Sequence, residues 1–104
     1  MADIIYTAHE IKEKLEPIFK AAPIDRAILF GSYAKGLQTS TSDVDIVIDS
    51  GGKIRGLDFF GILEDVTEAL NKQVDLIENY EIVDGGRAQR EIKETGVLIY
   101  ERNK

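Results

Sequence analysis

The sequence predicts an α+β fold formed as one domain. Segments with apolar residues at three- and four-residue intervals read as helices, and the short apolar or alternating runs between them read as strands. A length of 104 residues supplies one hydrophobic core. Contents of 43% hydrophobic and 31% charged residues belong to a globular rather than a disordered chain.

Thr7 and Glu10 have capping-box spacing, and Ile11, Leu15, Ile18 and Phe19 recur at helical intervals, which predicts a helix over about Ala8 to Lys20 with its apolar stripe against a sheet. Pro17 lies inside it and lacks a backbone donor, so a kink or an early end is expected there. Arg26 to Phe30 is apolar enough to predict a strand buried on both faces. Gly31 turns the chain, Ser32 to Lys35 make one helical turn, and Gly36 to Ser42 form a polar loop. Asp43 to Ile48 alternates, with Val44, Ile46 and Ile48 on one face and Asp43, Asp45 and Val47 on the other. Phe59, Leu63, Val66 and Leu70 place a second long helix over Leu57 to Leu70. Gln73 to Glu78 is a strand with Asp75 and Ile77 on one face, Arg87 to Thr95 a helix stopped by Gly96, and Val97 to Tyr100 a last strand.

A net charge of -6 opposes polyanion binding, which needs Lys and Arg to neutralise phosphates, so no nucleic-acid partner is expected. The absence of cysteine removes disulfides and thiolate metal sites and is compatible with a reducing cytoplasm. The N-terminal stretch carries acids where a leader would be basic, and no apolar run is long enough to span a bilayer, so neither a signal peptide nor a membrane partner is expected.

One stretch carries chemistry. Gly31-Ser32 closes the first strand, and ten residues separate it from Asp43-Val44-Asp45. In a chain with nine aspartates, D-x-D alone arises about once by chance, but a fixed upstream Gly-Ser lowers that to roughly one in a few hundred. Carboxylates two residues apart on a strand project the same way and suit a hard divalent cation such as Mg²⁺. Asp75 interrupts an apolar strand where packing favours a hydrophobic residue, which makes it the candidate third acid. Gly31 and Ser32 offer close backbone approach and a hydroxyl to phosphate oxygens, and Lys35 adds a cation. The spacings of a P-loop and of a dinucleotide fold are absent.

The motifs GSYAKG and SDVDIVI, with the terminal GVLIYE, resemble the minimal nucleotidyltransferase (MNT) branch of the DNA polymerase beta-like nucleotidyltransferase superfamily. The resemblance implies a nucleotidyltransferase fold, a small mixed β-sheet with helices packed mainly on one face, with residues 1–104 as a single minimal domain. It implies that Asp43, Asp45 and Asp75 are catalytic and hold two Mg²⁺ ions, with Asp75 helping to deprotonate the acceptor. Gly31 and Ser32 would grip the leaving pyrophosphate. Lys35 stands where many members carry arginine and so lacks the bidentate fork. The expected reaction is transfer of a nucleoside monophosphate, AMP from ATP, to a hydroxyl. The expected acceptor is a tyrosine of a HEPN-type toxin, with this protein as the antitoxin.

Each assignment has a plainer counterpart. Gly31-Ser32 also reads as an ordinary strand-ending turn, Asp43 and Asp45 as a solvated strand start, Asp75 as an edge acid, and Lys35 as a solvated charge. Lys53 and Arg55 read as solvated loop cations, His9 as a surface residue, and Phe59-Phe60 as packing; Tyr33 is a candidate nucleotide contact. Two other functions compete: a non-catalytic antitoxin that neutralises its partner by covering it, and transfer to a small molecule. The second would need a substrate-binding domain.

Overall fold

The computed structural model describes residues 5–102. The extreme N-terminal residues that entered the signal-peptide expectation lie outside the described residues. The elements, in order, are α1 (Ala8–Ala21), β1 (Arg26–Phe30), α2 (Ser32–Lys35), β2 (Val44–Asp49), α3 (Leu57–Leu70), β3 (Val74–Glu78), a 3-10 turn (Asn79–Glu81), α4 (Arg87–Thr95) and β4 (Val97–Glu101). No helix among the described residues is long and apolar enough to cross a membrane.

The four strands form one mixed sheet in the order β3-β2-β1-β4. β1 is antiparallel to both β2 and β4, whereas β3 joins β2 in parallel after the α3 crossover. α1 and α3 cover one face. There Ile11, Leu15 and Phe19 of α1 and Val66 and Leu70 of α3 meet Ala27, Leu29, Val44, Ile46 and Ile48 of the sheet, all fully buried. Burial of each large aliphatic or aromatic side chain contributes about 1.5–3 kcal/mol, so this layer dominates stability. The opposite face is covered only in part, by α4 passing over β1. A Cβ at Gly96 would fall 2.9 Å from Ile28 Cγ2, so a glycine is needed where α4 turns into β4.

The helix α1 opens with the expected capping box between Thr7 and Glu10. It then continues past Pro17 to Ala21, so of the expected kink or early end the early end does not occur. The reason is local: only one backbone donor is lost, while Leu15 and Phe19 on either side are anchored in the core. β1 is not buried on both faces throughout, because Arg26 is exposed and Ile28 only half-buried beneath α4. Asp43 immediately precedes β2, which runs on through Asp49. Phe59 packs against the core and Phe60 stands 61% exposed, an edge-to-face pair in which only one ring contributes to the interior.

Candidate active site

The open face of the sheet holds the candidate residues at its β3-β2 side. Phe30 pairs with Asp45 across β1 and β2, and Asp45 pairs with Asp75 across β2 and β3, so the three side chains form one row on the face away from α1 and α3. Neighbouring strands lie about 4.8 Å apart, which sets the two carboxylates side by side. Asp43 precedes β2 by one residue and is exposed, as is Asp75; Asp45 is half-buried between them.

Gly31 closes over this row. Its φ of 74° lies in the left-handed region, and a Cβ built there would collide with Asp45 Oδ2. Backbone and carboxylate thus approach as closely as only glycine permits. Ser32 then begins the single turn α2, where Ala34 and Lys35 N–H donate to the Gly31 carbonyl at 3.1 and 3.2 Å. The amides of Ser32 and Tyr33 open the turn and have no intrahelical acceptor. Tyr33 itself corrects the sequence reading: its side chain is only 2% exposed and belongs to the core, so it is not a nucleotide contact.

The polar tract before Asp43 is tied down at several points. Gln38 Nε2 donates to the Tyr6 carbonyl at 2.9 Å, Thr39 N–H to Ser42 Oγ at 2.9 Å, and the Lys72 ammonium to the Ser40 carbonyl at 2.9 Å. These bonds fix the approach of the chain to β2. Lys53, by contrast, pairs with Asp25 at 3.0 Å at the opposite end of the sheet, away from the acids.

Two charged residues not singled out in the sequence, Arg87 and Glu91, lie at the same cleft as Asp45. Gly31, Ser32, Lys35 and Asp45 line an open cleft of about 590 Å³ together with Phe30, Leu37 and the α4 residues Arg87, Ala88 and Glu91. Glu91 takes Arg87 Nε on one oxygen at 2.8 Å and Lys35 Nζ on the other at 3.4 Å. Burial pulls the Glu91 carboxyl upward, but hydrogen bonds and charge from Arg87 and Lys35 more than offset it, and Glu91 ionises below its ordinary range. The only sequence signal was the Arg-x3-Glu spacing on α4, which an exposed helix uses routinely.

Asp45 goes the other way. Burial, then the charges of Asp75, Asp43 and Glu91, push its carboxyl up to about 6, with Arg87 opposing them. Among the described residues no three acidic or histidine side chains close around a single point. What the chain provides is a paired row, Asp45 beside Asp75 with Asp43 adjacent, of hard oxygen donors whose mutual repulsion a divalent cation would relieve. That donor chemistry fits Mg²⁺.

Residues 13–104 match the family described as polymerase beta, nucleotidyltransferase. A protein of Methanocaldococcus jannaschii named "Putative protein adenylyltransferase" is 39% identical over 69 residues, which cover 66% of this chain and 74% of that protein. Among solved structures, a chain of one described as a toxin-antitoxin with AMP-PNP superimposes with a TM-score of 0.73 at 19% identity, covering 88% of this chain and 73% of that one. A chain of the Shewanella oneidensis complex between a tri-AMPylated HEPN toxin and an MNT antitoxin gives 0.68 at 15% identity, covering 92% and 74%. At these identities the two structural likenesses establish a common fold.

Proposed function

The chain belongs to the polymerase beta nucleotidyltransferase family and is a nucleotidyltransferase, and from that premise we propose that it transfers AMP from ATP to a tyrosine hydroxyl of a HEPN-type toxin, acting in the cytoplasm as the antitoxin of the pair. The observation that carries this reading is the register of Asp45 with Asp75 beneath the Gly31 turn, at the edge of a cleft that also holds Ser32 and Lys35. Support for ATP comes from the AMP-PNP in one structural relative, and support for a protein acceptor from the name of the Methanocaldococcus protein and from the AMPylated toxin in the Shewanella complex.

In this reading Asp43, Asp45 and Asp75 hold two Mg²⁺ ions, which when bound supply charge neutralisation at the triphosphate. The Ser32 hydroxyl and the amides opening α2 donate to oxygens of the outer phosphates, and Lys35 adds a positive charge beside them. Asp75, exposed on the edge strand, accepts the proton of the attacking hydroxyl. The acceptor oxygen bonds to the α-phosphorus as the bond to pyrophosphate breaks, and the proton passes from Asp75 to solvent.

The test is to incubate the purified protein with ATP, Mg²⁺ and the product of any adjacent gene for a HEPN-type protein, and to map modification of that product by mass spectrometry. One or more tyrosines carrying AMP is the expected result. A neighbour left unmodified yet silenced by complex formation would replace this reading with that of a purely binding antitoxin.

A further inference from the structure

Resting on the nucleotidyltransferase reading of the cleft, we propose that Arg87 is a ligand of the nucleotide's outer phosphates, and that Glu91 is a carboxylate placeholder which the triphosphate displaces from Arg87 and Lys35. Arg87 and Lys35 come from different elements, α4 and α2, yet both reach the one Glu91 carboxylate, each to its own oxygen. Two cations converging on a planar pair of anionic oxygens form the arrangement that also grips a phosphate. The cluster lines the same cleft as Gly31, Ser32 and Asp45.

Exposure separates the partners. Arg87 is 86% exposed, whereas Glu91, which lines the cleft, is 17% exposed. An exposed arginine loses little solvation when it exchanges a carboxylate for a more highly charged phosphate. Glu91 meanwhile adds negative charge beside Asp45, which opposes a triphosphate entering the cleft. It therefore keeps two cations in place and weakens binding by the same contact.

Isothermal titration of the full chain with AMP-PNP and Mg²⁺ tests this directly, with AMP as the comparison ligand. Arg87→Ala is expected to weaken AMP-PNP binding about tenfold and AMP binding much less, with Arg87→Lys intermediate. Glu91→Gln is expected to tighten AMP-PNP binding several-fold. Arg90→Ala, on the same helix but hydrogen-bonded to the Gly85 carbonyl, is expected to bind as wild type. If Arg87→Ala binds AMP-PNP as well as wild type, or Glu91→Gln binds it equally or more weakly, the proposal is overturned while the nucleotidyltransferase reading stands. Failure of the wild type to bind AMP-PNP at all removes the proposal together with the reading of the cleft as an ATP site.

Discussion

Gly31 and Asp45 are locked together: the glycine backbone, at a φ of 74°, passes so close to the aspartate that any Cβ at residue 31 would enter the space of Asp45 Oδ2. The turn proposed to meet a phosphate and the carboxylate proposed to hold a cation are thus one packed unit. Gly31→Ala carries both a strained backbone and a clash, and is expected to cost roughly 1–3 kcal/mol. Thermal denaturation should show a midpoint lowered by about 4–8 °C per kcal/mol. Asp45→Gly in the same chain should recover part of that loss, a coupling that a double-mutant cycle reads directly.

Asp45 also governs how stability responds to pH. Its folded-state carboxyl titrates at about 6 against 3.8 for the free side chain. Between those values the folded chain binds more protons than the unfolded chain, so the Asp45 contribution to stability falls as pH rises through that window. Asp45→Asn is expected to raise the melting temperature at pH 7 in the presence of EDTA while flattening the fall between pH 4 and pH 6, the window set by the shift. Adding Mg²⁺ should stabilise the wild type at pH 7 and leave Asp45→Asn largely unchanged. A wild type whose melting temperature is indifferent to Mg²⁺ would argue against the metal assignment.

Lys72 is buried at 7% exposure, and its ammonium ends on the Ser40 carbonyl in the loop that delivers Asp43. Lys72→Met keeps the aliphatic bulk and removes the donor, at an expected cost of about 1–2 kcal/mol. Hydrogen exchange should accelerate at Ser40 to Ser42, and AMP transfer should fall with it as Asp43 loses its fixed approach to β2.

The far end of the same strands provides the contrasting case. Ser50 Oγ donates to the buried Glu78 carboxylate, 2.9 Å from its nearer oxygen. Ser50→Ala removes that donor from a carboxylate that keeps the Glu81 N–H, and should destabilise the fold by about 1–3 kcal/mol. Because Ser50 lies beyond the opposite end of β2 from Asp43, the transfer rate measured below the melting transition should be unchanged.

Much of this architecture was legible in the sequence because the signals were local. The capping box at Thr7, the alternation after Asp43 and the glycine after Phe30 each act within a few residues, and the strands and helices they announce are present. Where prediction and structure part, tertiary packing decides. Pro17 did not stop α1 because the core holds the turns on both sides of it. Tyr33, adjacent to Ser32 in sequence, is rotated into the core by the one-turn helix.

The site itself was only half legible. Asp43, Asp45 and Asp75 stood out as acids at strand positions, but the register that sets Asp45 beside Asp75 depends on the α3 crossover. No local pattern encodes that register. Arg87 and Glu91 were missed because RAQREIKET reads as a solvated charged helix. Only the passage of α4 over β1 brings those two residues to the cleft.

The central claim, that the row of acids beneath Gly31 performs AMP transfer to a protein partner, is tested most directly by following the label from α-labelled ATP onto the neighbouring protein with wild type and with Asp43→Asn/Asp45→Asn. The wild type should label the partner in a Mg²⁺-dependent manner, and the double variant should label it at background while remaining folded. Label transfer by the double variant at the wild-type rate would contradict the account.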